Sequence, residues 1–131
     1  MIIDASALLA IVLGEPDAAL FARAIPSEHH PRMPCVTWFE AAMRTELAGD
    51  AVAVSRSDDF PKKFGIDIIP FTARHAEAAR LGRRLYGRPH HPAGLNFGDC
   101  LVYGVARSER EPLLFKGVDF ARTDVQPALK G

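Results

Sequence analysis

Apolar residues in this chain fall into short blocks separated by longer stretches with helical spacing. Met1-Ile2-Ile3 is a continuous apolar run stopped by Asp4, the pattern of a strand buried on both faces. Ala5 to Leu13 is apolar nearly all round and ends at Gly14, which predicts a buried helix. Asp17 is placed to cap a second helix reaching about Ile25, and Pro26 to Pro34, with three prolines and His29-His30, reads as a surface loop. Met33 to Val36 predicts a short strand. Thr37 is placed to cap a helix to Leu47 or Ala48, with Phe39, Ala42, Met43 and Leu47 as its inward stripe. Ala51 to Lys63 is the least legible segment, and Pro61 argues against a long helix there. Ile66 to Phe71 reads as a strand. Thr72 opens a helix to Leu85 or Tyr86, with Ala78, Leu81 and Leu85 on one face and Gly87 as the stop. After the Arg88 to Gly94 loop, Asn96 to Arg107 predicts a helix with Leu101, Val102, Val105 and Ala106 inward. Pro112 to Phe115 then predicts a strand, and a turn with a short final strand near Val125 closes the chain.

Strands alternating with helices favour an α/β fold: a central, mainly parallel sheet of four to five strands with helices on both faces. A chain of 131 residues is most simply one domain, 1–131, and 48% hydrophobic residues supply a core. The longest apolar run, Ala7 to Leu13, is far short of the roughly 20 residues that span a bilayer. With no basic leader before Asp4, a soluble cytoplasmic protein is expected. Cys35 and Cys100 fit no disulfide framework or zinc pattern and read as small buried hydrophobes. Sixteen basic residues balance sixteen acidic ones, so nucleic-acid binding would need a local patch.

Against this background four carboxylates stand out, because each adjoins an apolar block. Asp4 follows the first strand directly, Glu40 and Asp99 lie in the first turns of helices, and Asp119 lies a few residues past the last clear strand. Ligands of open α/β sheets bind at the carboxyl ends of the strands, and one such edge can hold all four. Carboxylates beside a core cost free energy unless neutralised. A shared hard cation such as Mg²⁺, which takes oxygen ligands and keeps room for water and phosphate, is the simplest neutraliser.

Each carboxylate also has an ordinary structural use. Asp4 can cap the first helix. Glu40 has capping-box spacing to Thr37 and ion-pair spacing to Arg44. Asp99 completes a capping box with Asn96. Asp119 can close the Gly117-Val118-Asp119 turn, and Asp124 competes with it for the fourth position. The adjacent pairs His29-His30 and His90-His91 lack the spacing of helical metal ligands. Gly-x-Ser-x-Gly and Gly-rich phosphate loops are absent, which argues against a serine nucleophile or a P-loop.

Met1-Ile2-Ile3-Asp4-Ala5-Ser6-Ala7-Leu8, Glu40 after Thr37-Trp38-Phe39, Gly94 to Cys100, and Leu113 to Phe120 together resemble PIN domains. Within that family the run is similar to the VapC-type toxins of bacterial toxin–antitoxin pairs. The resemblance spans essentially the whole chain, with none clear from Ala51 to Phe60. It implies a PIN-like α/β/α sandwich and a Mg²⁺- or Mn²⁺-dependent endoribonuclease that hydrolyses RNA phosphodiester bonds. It places Asp4, Glu40 and Asp99 as catalytic, metal-holding acids, with Asp119 as the fourth. Ser6 and Asn96 match positions beside the metal. It further implies a homodimer and inhibition by a cognate antitoxin. Arg83, Arg84, Arg88, Lys116 and Arg122 are candidates for an RNA-gripping rim. Two competing readings are a non-catalytic PIN-fold module that binds RNA or protein, and a receiver-like phosphoacceptor. The second wants a further acid beside Asp4 that the sequence does not supply.

Overall fold

A computed structural model describes residues 1–26 and 30–129. Among them, four strands form one parallel sheet in the order β3-β2-β1-β4, with β1 at Ile2–Ile3, β2 at Arg32–Pro34, β3 at Asp67–Ile69 and β4 at Leu113–Leu114. Six α-helices flank it: α1 (Ala5–Val12), α2 (Ala18–Arg23), α3 (Cys35–Leu47), α4 (Ala51–Phe64), α5 (Ala73–Tyr86) and α6 (Phe97–Glu109). The predicted final strand is reduced to an isolated bridge between Pro127 and Leu113.

The strands are only two or three residues long, yet their alternation builds two cores. Ile3 and Leu114 face a layer made with α1, α3 and α4, while Ile2 and Leu113 face a second layer made with α6 and Tyr86. Both faces of β1 are fully buried, as its unbroken apolar pattern requires. On the second face α5 and α6 run antiparallel and close together. A methyl group at Gly104 would lie 2.5 Å from the His75 carbonyl oxygen, and one at Gly82 would lie 2.7 Å from Tyr103 Cε1. His75 closes a capping box with Thr72 at the start of α5, and its Nε2 meets Glu109 at the end of α6 (2.9 Å).

Several expectations are corrected. The α3 helix starts at Cys35 after Pro34, so Thr37 is no cap; it is buried at 2% exposure and its hydroxyl has no partner. The stripe expected inward on α3 is largely outward: Phe39 is 65% and Leu47 79% exposed, and Met43 is exposed as well. Thr37, Ala41 and Thr45 take the buried face instead, because small side chains let α3 approach its neighbours. On α5 the buried face is His75, Ala79 and Gly82, about one position round from the expected stripe, and Leu85 is exposed. Asp17 sits at the start of α2 without a side-chain capping bond. Finally, α4 is a 14-residue helix with Pro61 inside it. Proline there frees the carbonyl of Ser57, four residues back, and the Trp38 indole N–H donates to that oxygen (3.3 Å).

Candidate active site at the carboxyl edge of the sheet

The order of the strands decides which side chains can meet. Asp4 leaves the carboxyl end of β1, and its neighbours on either side are β2, which leads into α3 and Glu40, and β4, which leads to Asp119. Asp99 enters from the first turn of α6. Asp4 is only 5% exposed, and burial raises its pKa, with the charge of Glu40 adding to the rise. Burial raises Glu40 too, opposed by Arg44 and reinforced by Asp99. Asp99 is pushed up to about 6, first by burial and then by Asp4 and Asp119. Asp4, Glu40 and Asp99 each feel the charge of a neighbouring acid along one edge.

The ordinary uses weighed for Asp4, Asp99 and the Glu40–Arg44 pair are realised as well, whereas the Thr37–Glu40 box and a side-chain role for Asp119 in its turn are not. Asp4 Oδ2 accepts from the Ser6 N–H (3.1 Å) and the Ser6 hydroxyl (2.5 Å). Ser6 Oγ in turn accepts from the Lys116 N–H (2.9 Å), which commits the hydroxyl proton to Asp4. Arg44 reaches Glu40 Oε2 at 3.3 Å. Asp99 Oδ2 accepts from the Asn96 N–H (3.1 Å) while Asn96 Oδ1 accepts from the Asp99 N–H (2.9 Å). Asp119 precedes a 3₁₀ turn at Phe120–Arg122 without a side-chain capping bond, so its carboxylate is not spent on the backbone.

No three acidic, histidine or cysteine groups among the described residues lie together closely enough to enclose one ion. Asp4, Glu40 and Asp99 therefore act on one another as charges at a distance. The donor set fits a hard divalent cation: one buried and three half-buried carboxylates, with an adjacent hydroxyl and amide.

Gly98 is a position at the candidate site that spacing does not single out. A methyl group on it would lie 2.8 Å from Glu40 Cδ, so glycine at that position is what lets the Glu40 carboxylate lie against α6 beside Asp99. Its signal in the sequence is its place directly before Asp99 in Asn96-Phe97-Gly98-Asp99.

Other candidates fall elsewhere. Asp124 is bound by the Tyr103 hydroxyl (2.8 Å) and Arg107, at a pocket shared with Arg110 and Gln126 near the far end of α6. Lys116 Nζ is matched by Glu15 and Asp17 (3.1 Å each). Arg122 donates to the Pro92 carbonyl (3.1 Å), and Arg88 Nε to the Gly94 carbonyl (2.7 Å). Arg83, Arg84 and Arg88 line a cavity of about 610 Å³ between α5 and α6. His90 bonds the Arg84 carbonyl and His91 accepts from the Ala93 N–H. His30 pairs with Asp67, and His29 lies outside the described residues.

The chain matches the PIN domain family over residues 1–126. It belongs to that family. Among PIN proteins it is 39% identical over 125 residues to the VapC ribonuclease Mb0640 of Mycobacterium bovis, covering 95% of both chains. It is 41% identical over 130 residues to the ribonuclease VapC28 of Mycobacterium tuberculosis, covering 98% of both. Two solved structures share this PIN fold at lower identity. One is a toxin–antitoxin complex from Klebsiella pneumoniae, with TM-score 0.72, 19% identity and 98% of each chain covered. The other is the sarcin–ricin loop cleaving toxin VapC20 of Mycobacterium tuberculosis, with TM-score 0.71, 14% identity, and 96% and 98% covered. The PIN-like sandwich expected from the sequence is therefore the fold observed.

Proposed function

We propose that this PIN domain is the endoribonuclease toxin of a toxin–antitoxin pair, hydrolysing RNA phosphodiesters with a carboxylate-held Mg²⁺, or Mn²⁺ in its place. The observation that carries the reading is the convergence of Asp4, Glu40 and Asp99 at one sheet edge, each with a raised pKa that the presence of the others helps to raise. Full or near-full-length kinship with proteins named VapC ribonucleases supports the same assignment.

In this reading Asp4, Glu40 and Asp99 hold the ion, and Asp119 is the fourth acid. When bound, the ion supplies an activated water and stabilises charge on the leaving oxygen. Ser6 fixes one oxygen of Asp4, leaving Oδ1 free to face the ion; Asn96 does the same for Asp99. Arg44 holds Glu40 to one side until a stronger positive charge arrives. The metal-free cluster repels phosphate, so the same carboxylates also make substrate binding depend on the ion. Arg83, Arg84 and Arg88 grip the backbone of the RNA, with Arg122 at the margin. Lys116, matched by two acids, contributes less to that rim.

The protein acts in the cytoplasm, where its RNA substrates are; no helix among the described residues is long and apolar enough to cross a membrane. The outward apolar face of α3, with Phe39, Met43 and Leu47, supports a homodimer. The VapC-type kinship supports a cognate antitoxin as inhibitor.

The test is to incubate purified protein with total cellular RNA in Mg²⁺ or in chelator and map the new ends. Discrete cuts that appear only with Mg²⁺ and vanish in Asp99→Asn support the reading. Undamaged RNA, with a thermal midpoint indifferent to Mg²⁺, would instead favour a non-catalytic PIN-fold binding module.

A further inference from the structure

The link from β4 to the 3₁₀ turn runs Phe115-Lys116-Gly117-Val118-Asp119, so the fourth acid stands at its far end. Gly117 and Val118 are exposed, and packing does not hold the middle of the link. Phe115 rests on Phe120, with ring centroids 5.4 Å apart. Lys116 is anchored at both ends. Its N–H donates to Ser6 Oγ (2.9 Å) in the first turn of α1. Its Nζ donates to Glu15 Oε2 and Asp17 Oδ1 (3.1 Å each), beyond the last turn of α1. The side chain therefore runs alongside α1 and ties the link after β4 to the turn between α1 and α2. Asp17 marks this tie as more than a chance surface pair. It stands at the N-cap of α2, where an aspartate side chain commonly bonds the helix, yet it makes no capping bond. Its carboxylate goes to Lys116 instead. All three side chains are half-buried, and two carboxylates on one ammonium form a network rather than an isolated pair.

We propose that Glu15, Lys116 and Asp17 form a strap that positions the Asp119 carboxylate for the metal ion, with Glu15 and Asp17 acting through Lys116 as positioning residues. Asp119 makes no side-chain bond to the backbone of its own turn, so its direction depends on how the link before it is held. With Lys116 fixed at both ends, Asp119 is a short tether away. Freed of the strap, the exposed Gly117-Val118 segment lets the carboxylate wander, and the ion must order it on binding. Partners that orient a metal's ligands without touching the metal are worth about 10- to 100-fold in affinity. The inference rests on the carboxylate-held-metal reading and adds to it the residues that set the fourth acid.

The test reads Mn²⁺ binding from the electron paramagnetic resonance of the free ion, in protein held well below its thermal midpoint. Lys116→Met keeps the stem and removes the ammonium. It should weaken Mn²⁺ about tenfold. Charge alone predicts the opposite, because deleting a positive charge near a cation site tightens cation binding. Glu15→Gln with Asp17→Asn should also weaken Mn²⁺ about tenfold. The triple variant should be no weaker than either, since all three changes break one strap. Lys116→Arg, which can still span both carboxylates, should stay within about threefold of the wild type. Lys116→Gln keeps a donor toward the carboxylates and serves if Lys116→Met does not fold; it should weaken Mn²⁺ about threefold.

Tighter or unchanged Mn²⁺ binding in the folded lysine variants would overturn the proposal, and so would additive losses in the triple variant. A strap that only stabilises the fold lowers the thermal midpoint in chelator and leaves Mn²⁺ affinity unmoved, which overturns it as well. The two readings separate cleanly. If the wild type binds Mn²⁺ and cuts RNA while the variants bind the ion as it does, the strap fails and the nuclease stands. If Mn²⁺ binding depends on the strap but RNA stays whole, the nuclease fails and the strap stands. A wild type that binds no Mn²⁺ overturns both.

Discussion

Asp99 is the residue at which folding and chemistry conflict most directly. Its carboxylate closes the capping box of α6, which favours folding, yet burial and two neighbouring acids push its pKa to about 6. At neutral pH it is ionised and unfavourably so. Asparagine keeps an oxygen that can accept from the Asn96 N–H and removes the charge. Asp99→Asn is therefore expected to stabilise the metal-free protein by about 1 kcal/mol while abolishing cleavage. That figure is the two-unit rise at 1.36 kcal/mol per unit, reduced by more than half for partial exposure. Asp99→Ala loses the cap as well, a cost of about 1 kcal/mol, and should come out near neutral. Chemical denaturation of the three proteins in chelator checks the order Asn, then Ala and wild type. A less stable Asp99→Asn protein that still cuts RNA would contradict the assignment. At the neighbouring position, Gly98→Ala should keep the fold, because Glu40 can swing its flexible end aside. It should raise the Mg²⁺ concentration needed for half-maximal cleavage about tenfold, consistent with the loss of about 1.4 kcal/mol of ion binding. A Mg²⁺ titration reads this, and an unchanged midpoint would remove Gly98 from the site.

At the scale of elements, the two glycines between α5 and α6 determine how the second layer packs. Gly104 lies against the backbone of His75 and Ala79, where nothing can rotate away. Gly104→Ala is expected to destabilise the fold by about 3 kcal/mol, the upper part of the usual cost of overpacking, seen as a fall in thermal midpoint with or without Mg²⁺. This packing also explains which elements could be read from the chain. Strand and helix order, the stops at Gly14, Gly49 and Gly87, and the caps at Asp4, Thr72 and Asn96 are local signals, and the structure realises them. Helix facing was less legible. The sequence pattern places large apolar residues inward on α3 and gathers Ala78, Leu81 and Leu85 on one face of α5, but in both helices close approach favours small residues on the buried face. The large ones then lie on surfaces free to meet other molecules. The signal was present as Thr37, Ala41 and Thr45 at four-residue spacing. The α4 helix was illegible for a different reason. Whether Pro61 breaks it depends on Trp38, nineteen residues from the carbonyl it satisfies, and no local window contains that partner. Of the site, the four acids were visible as carboxylates beside apolar runs. Gly98 is not, because its meaning comes from the Glu40 carboxylate that the fold brings against it.

For the whole molecule, the acidic edge and the opposite end of the sheet pull stability in opposite directions with pH. Asp4, Glu40 and Asp99 have raised folded pKa values, and for Asp99, pushed up to about 6, the folded state holds between about pH 4 and pH 6 a proton that the unfolded chain has released. Stability from this cluster therefore falls as pH rises through that window. Glu109, bonded to His75 and Arg32, and Glu111, bonded to the amino group and Arg32, are held below the usual glutamate value. Their contribution is present above about pH 4.5 and is lost as pH falls further. The metal-free protein should accordingly be most stable in mildly acid solution and lose thermal stability toward neutrality. Binding Mg²⁺ requires the ionised carboxylates, so its effect should be absent near pH 4.5 and grow through pH 6 to 7. At ten times its dissociation constant the ion stabilises by about 1.4 kcal/mol, worth about 5 °C in a domain of this size. Thermal midpoints from pH 4 to 8, in chelator and in Mg²⁺, should diverge as pH rises, and Asp99→Asn should reduce the divergence. Parallel curves would mean that the four acids do not share a cation at this edge, and the repulsion among them would then need another explanation.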